Sequence, residues 1–188
     1  METKEQIRAK LLYKRKQITE QEWTDAGESL AKLLKKQPLV QEYGYFYAYY
    51  PQGKELSLLP FLEWALDAGK RIALPRVSGD QMDFYEITEV SGLVKGSFGI
   101  MEPVGELRTA WEEAVCLIPG VGFTEAGTRI GHGKGYYDRY LQRHPRLKKV
   151  GIAYEQQLAE SIPTEKTDIP MEYLATPKRW IDCDSRKE

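Results

Sequence analysis

The stretch from Pro119 to Leu141, PGVGFTEAGTRIGHGKGYYDRYL, carries glycines at positions 120, 122, 127, 131, 133 and 135. Glycines this dense let backbone amides approach an oxyanion closely, and the start of a following helix adds the positive end of its dipole. Arg129 and Lys134 bring fixed positive charge to the same stretch, and His132 offers a further hydrogen bond. Asp138, one turn into the helix, supplies the hard oxygen that magnesium takes. These residue types together describe a phosphate cradle with a divalent cation beside it. A glycine-rich turn with a surface lysine and an exposed aspartate is the plainer alternative. Six glycines, two cations and a carboxylate in one short loop weigh against it.

Generic nucleotide motifs do not fit this loop. A P-loop would need glycine at Thr128 and serine or threonine at Gly135, and a dinucleotide fingerprint would need glycine at Tyr136. The loop also offers amides, cations and a metal ligand but no evident nucleophile.

The elements that must hold this loop follow from hydrophobic spacing. Ile7, Leu11 and Ile18 share a helical face, predicting an amphipathic helix from Glu2 to about Ile18. Thr19 and Glu22 form a capping-box pattern that opens a second helix, which Pro38 ends. YGYFYAYY, Tyr43 to Tyr50, is the first strand; SLLPFLEWALDAG is a helix stopped at Gly69; RIALPRV and MDFYEI are strands. A helix between strands implies parallel pairing. AVCLIPGVGF is expected as one unbroken buried strand, followed after the loop by the helix GYYDRYLQRH, the strand KKVGIAY and a last strand in ATPKRWI. The alternation predicts a single α/β/α domain over residues 1–188, with no internal repeat or linker.

Composition narrows the function classes. Hydrophobic residues make up 41% and charged residues 29% of the 188, with 27 basic against 28 acidic side chains, which excludes both a disordered chain and a molecule-wide field for a polyanion. An anion must therefore be held by a local site. An RNA-binding module built on the basic first helix and the aromatic strand is the non-enzymatic alternative, and the near-neutral balance argues against it. Cys116 and Cys183 lack zinc or disulfide spacing and are expected as free thiols. The charged start METKEQIRAK and the lack of a ~20-residue apolar run point to a cytoplasmic protein without a membrane span.

RIGHGKGYYDRYL, preceded by LIPGVGF, resembles the signature of the 5-formyltetrahydrofolate cyclo-ligases (methenyltetrahydrofolate synthetases), a family that holds ATP and folate in one cleft. The likeness runs along nearly the whole chain: Lys4 and Arg8 in the first helix, Glu55 after a strand, FGIMEP from Phe98 to Pro103, and IPTEKTD near the end. The resemblance implies a three-layer α/β/α sandwich with a mostly parallel central sheet, of the NagB/RpiA/CoA transferase-like kind. By position it implies that Lys4, Glu5, Gln6, Ile7 and Arg8, with Arg129, Ile130, Gly131, His132, Gly133, Lys134, Gly135, Tyr136 and Tyr137, contact ATP. It places folate against Tyr50, Glu55, His132, Gly133, Lys134, Gly135 and Tyr136, and gives Asp138 and Asp168 to Mg2+. Arg129 and Lys134 take the catalytic role of stabilising charge on the transferring phosphoryl group. The partners it implies are ATP and a small-molecule folate, with no nucleic acid or membrane, and the protein is expected as a monomer. An ATP-dependent kinase or ligase acting on another small molecule is the alternative enzyme.

The chain departs from the family pattern at Thr124, where Asp is frequent, at Leu58, where Thr often follows the glutamate, and at His132, a variable Met or Arg position. Plainer readings stand beside the sharp ones. The run Lys14, Arg15, Lys16 is read as a solvated helix face, most of the Tyr45 to Tyr49 aromatics as sheet packing, and Phe84 and Phe98 as strand packing rather than pterin stackers.

Overall fold

The computed structural model describes residues 2–184; the single domain expected over 1–188 also takes in Met1 and residues 185–188, which lie outside the described residues. Two capping boxes set the first helices. Thr3 and Gln6 exchange side chain to backbone hydrogen bonds to open α1, Lys4–Lys16, and Thr19 and Glu22 do the same for α2, Glu20–Lys35. A short α3, Pro38–Glu42, begins on proline, whose missing N–H costs nothing in a first turn.

β1 is Tyr45–Tyr47, shorter than the strand expected from Tyr43 to Tyr50. Ala48 still donates to the Ala73 carbonyl at 3.0 Å, but the chain then turns so that the Tyr49 hydroxyl donates to the Leu56 carbonyl at 2.5 Å. α4, Leu59–Asp67, returns the chain to β2, Arg71–Ser78, which folds back as β3, Gln81–Ile87. A small hairpin of β4, Val94–Lys95, and β5, Met101–Glu102, brackets Phe98.

The run AVCLIPGVGF is not one strand, contrary to expectation. β6, Val115–Pro119, lies in the main sheet, whereas β7, Gly122–Phe123, pairs instead with β8, Arg129–Ile130. The break lies at Gly120, where a Cβ would stand 2.6 Å from the Phe123 ring, so only glycine allows the chain to turn there. After α5, Tyr136–Arg143, come β9, Lys148–Ile152, β10, Tyr173–Ala175, and β11, Trp180–Asp182. ATPKRWI therefore spans a hairpin rather than a strand. The Thr176 hydroxyl accepts from the Lys178 and Arg179 amides at 3.2 and 3.0 Å and so makes the turn locally.

The seven-stranded sheet runs β11-β10-β9-β6-β1-β2-β3. Its interior pairs are parallel, and both edges, β2 with β3 and β10 with β11, are antiparallel. Side chains alternate across it. Phe46, Ile72, Leu117 and Val150 face Leu30, Leu34, Phe61 and Leu62 of α2 and α4, while Tyr47, Cys116 and Ile118 face Tyr140 and Leu141 of α5. This is the three-layer α/β/α sandwich. A separate apolar cluster of Ile7, Leu11, Val121, Ile130 and Ile162 fastens α1 to the β7–β8 ribbon. Burying each such side chain contributes about 1.5–3 kcal/mol, so α1 is a fixed part of the site's frame. Among the described residues no helix is long and apolar enough to cross a membrane.

Candidate functional site

A cleft of about 720 Å³ opens where the parallel strands end: Tyr49 and Tyr50 follow β1, Pro75 and Val77 lie in the second half of β2, and Pro119 closes β6. Ligands of open α/β sheets commonly lodge at such carboxyl ends.

One wall is the glycine loop. Gly135, at φ 68°, precedes α5, and no side chain caps that helix, which leaves the positive end of its dipole facing the cleft. The loop is pinned from two sides. Arg8 Nε donates to the Gly131 carbonyl at 2.8 Å, and Arg139 donates to the carbonyls of Lys134 at 2.9 Å and Asp80 at 2.8 Å. The Tyr136 hydroxyl donates to the Gly79 carbonyl at 2.9 Å, so the β2–β3 turn supports the loop. At its base, Gln157 Nε2 donates to the carbonyls of Gly120 and Val121, both at 2.9 Å.

Arg15 joins this base, which corrects the solvated reading of its run. It is 9% exposed and Nη1 reaches the Gly120 carbonyl at 3.4 Å, whereas Lys14 and Lys16 are exposed as expected. Its partner is 105 residues away, so no local pattern marks it.

Arg129 lies at the cleft floor with its side chain 6% exposed. Nη2 donates to Asp138 Oδ2 at 2.8 Å, Nη1 reaches the Pro119 carbonyl at 3.4 Å, and buried Nε has no partner. A buried unpaired donor on a cation is costly, and its presence at a cleft floor fits a bound anion. Asp138 Oδ1 accepts from the Ile169 amide at 3.1 Å, which brings the neighbouring Asp168 to the same corner. Lys4 Nζ contacts Asp168 Oδ2 at 2.6 Å and Glu165 Oε1 at 3.0 Å. Burial pulls the Lys4 ammonium down and the Asp168 carboxyl up, but their mutual hydrogen bond and charge outweigh it, so Lys4 ends above its ordinary value and Asp168 below.

The facing wall carries Tyr50, Gln52, Glu55, Phe98, Ile100 and Glu102, with Pro75, Val77 and Met82 making an apolar strip. Glu55 is 9% exposed and is held by the Gln52 amide on Oε2 at 2.9 Å, while Oε1 stands 3.6 Å from His132 Nε2 across the cleft. Phe98 is not strand packing. It is 65% exposed, at φ 57°, with Lys134 Nζ 5.9 Å from its ring centroid. Phe84 is packing as expected, wholly buried against Tyr47 and Tyr140. Cys116 is also packing: burial pushes its thiol up to about 12, far from a reactive thiolate.

The sequence pattern of the 5-formyltetrahydrofolate cyclo-ligase family matches residues 1–177. The chain belongs to the 5-formyltetrahydrofolate cyclo-ligase family. It is 31% identical over 174 residues to the 5-formyltetrahydrofolate cyclo-ligase of Escherichia coli K12, covering 88% of this chain and 96% of that protein. A probable 5-formyltetrahydrofolate cyclo-ligase of Schizosaccharomyces pombe is 31% identical over 146 residues, covering 68% of this chain and 72% of that protein. The solution structure of Aquifex aeolicus 5,10-methenyltetrahydrofolate synthetase superposes with a TM-score of 0.86 at 35% identity, over 98% of this chain and 94% of that one. The Mycoplasma pneumoniae 5,10-methenyltetrahydrofolate synthetase, at 24% identity and TM-score 0.72 over 93% and 98%, shares the fold.

Within this cyclo-ligase fold the cleft gathers Lys4, Arg8, Tyr50, Glu55, the loop Arg129 to Tyr137, Asp138 and Asp168. It does not gather the whole of the first run. Lys4 and Arg8, four residues apart, share the helical face toward the cleft; Ile7 packs into the α1 cluster, Gln6 is spent on the capping box, and Glu5 is exposed away from the cleft. Arg139, Gln142, Glu165 and Thr167 also line the cleft and were missed. Gln142 stands one turn after Asp138, and that spacing was the available signal.

Proposed function

We propose that this protein closes 5-formyltetrahydrofolate to 5,10-methenyltetrahydrofolate at the expense of ATP, with residues 1–188 acting as one cyclo-ligase domain. The observation that carries this reading is the convergence of Lys4, Arg8, Arg129 and Lys134 on the uncapped start of α5, facing a wall of Tyr50 and Glu55. A formamide oxygen is a poor leaving group. In this reaction the γ-phosphoryl group of ATP passes to the formyl oxygen, the neighbouring folate N–H nitrogen attacks the formyl carbon and gives up its proton to solvent, and phosphate departs with that oxygen, leaving the methenyl bridge and ADP.

The protein's part is positioning and charge. Lys134 and Arg129 neutralise the transferring group, with Arg129 Nε available at the floor; Glu55, fixed by the Gln52 amide, orients the folate. Among the described residues no three His, Cys, Asp or Glu side chains gather around a metal position. Two carboxylates, Asp138 and Asp168, at one corner nevertheless fit Mg2+, which keeps several waters and binds through one or two carboxylates plus substrate phosphates. When bound there it would neutralise phosphate charge. The small-molecule cleft calls for no nucleic acid or membrane, and the reading places a monomer in the cytoplasm.

The test is absorbance of the methenyl product on mixing protein, ATP, Mg2+ and 5-formyltetrahydrofolate. Wild type is expected to form it, and Lys134→Ala to lose about 100-fold or more in turnover, the usual cost of removing a transition-state donor. Near-normal turnover in the variant removes Lys134 from the chemistry. ATP hydrolysed with another acceptor and not with the folate assigns the cleft to a kinase or ligase instead.

A further inference from the structure

Both carboxylates given above to the metal are already matched with a cation of the protein, and the two matches differ in kind. Arg129 is enclosed, 6% exposed, and anchored at Nη1 as well as at Asp138. Lys4 is 20% exposed on a four-carbon stem at the start of α1, and among the described residues its ammonium is ion-paired with the carboxylates of Asp168 and Glu165. A planar guanidinium locked on two edges cannot leave its partner without unpacking, whereas a lysine ammonium can swing by rotamer changes alone.

Asp168 offers Oδ2 to both Lys4 and the Glu165 amide, at 2.6 and 2.8 Å, and among the described residues both of its hydrogen bonds fall on that one oxygen. The corner is thus balanced as it stands, with one mobile charge. A bare divalent cation arriving there meets a carboxylate that Lys4 already neutralises. A bare nucleotide arriving there meets Asp168 and Glu165 once Lys4 turns away from them. Only the two together offer a partner to every group: phosphate for Lys4 and the metal for Asp168.

Resting on the functional reading above, we propose that Lys4 is a stand-in for the divalent cation, released from Asp168 to a phosphate when metal and nucleotide arrive as a pair. Lys4 is on this account a direct contact of the nucleotide phosphates. Its exchange makes metal and nucleotide binding mutually dependent, and it guards Asp168 against free metal.

The test uses Lys4→Met, which keeps the stem and removes the charge, and it reads binding rather than turnover. Mn2+ alone is titrated by its electron paramagnetic resonance signal, and MgATP is titrated by calorimetry. In the variant, Mn2+ without nucleotide is expected to bind about tenfold more tightly, the effect of removing a charge partner at hydrogen-bond distance from a carboxylate, while MgATP binds at least about tenfold more weakly. The double variant Lys4→Met, Asp168→Asn should lose the Mn2+ gain. A general loosening of α1 would weaken both ligands together, so opposite signs are the signature. Mn2+ affinity unchanged or lowered in Lys4→Met, with wild type binding MgATP normally, overturns the exchange alone. Wild type that takes up no MgATP overturns the functional reading and the exchange with it.

Discussion

Ion pairs on the β9–β10 flank and in the cleft use the same residue types and are built differently. At the β9–β10 flank, Glu172 is closed off: one oxygen accepts from the Lys149 amide and the Lys149 ammonium, both at 2.9 Å, and the other faces Lys148 at 3.5 Å. Past the other end of β10, Arg179 clamps Glu155 and Glu125. In the cleft, Arg129 Nε has no hydrogen-bond partner among the described residues and Asp168 takes both of its bonds on one oxygen, beside a partly exposed lysine. What separates a structural pair from a working one is therefore the bonding capacity left over, not the distance between charges.

That contrast can be broken most readily at Arg129. Arg129→Met strands Asp138 and should cost about 3 kcal/mol in denaturant unfolding together with most MgATP affinity, as expected when half of a buried pair is removed. A loss of stability with MgATP binding intact would make Arg129 as structural as the flank pairs. Glu172→Gln should cost about 1–2 kcal/mol at pH 7 and leave MgATP binding unchanged. Burial raises the Glu172 carboxyl, but the Lys149 amide and ammonium outweigh it and hold it below its ordinary 4.5. Its contribution is accordingly present above that value and lost as pH falls through the lower folded one, so the gap between wild type and variant should close on acidification. A gap that persists at low pH in unfolding experiments removes the charge argument. Arg179→Met, at a half-exposed clamp, should shift stability by less than about 1 kcal/mol.

The sequence made local structure legible and long-range pairing illegible. Thr19 with Glu22, and the loop from Arg129 to Asp138, carry their information within a few residues, and both stand where expected. Thr3 with Gln6 is an equally local box. The apolar run through Gly120 gives no sign of leaving the sheet, since Val121 and Phe123 are as apolar as the strand residues before them; what turns the chain is close packing around Gly120. Arg15 and Phe98 escape the sequence for a different reason. Their contacts at Gly120 and Lys134 lie far along the chain, and helix periodicity cannot tell an Arg15 facing water from one facing a carbonyl.

The β2–β3 turn reaches across to the glycine loop, where the Gly79 and Asp80 carbonyls take Tyr136 and Arg139. It works as an outrigger: the tip of the hairpin whose Pro75, Val77 and Met82 form the apolar strip of the cleft also steadies the segment on which phosphate would rest. Lengthening that bend would shift both carbonyls and be felt as a loosened grip on the loop.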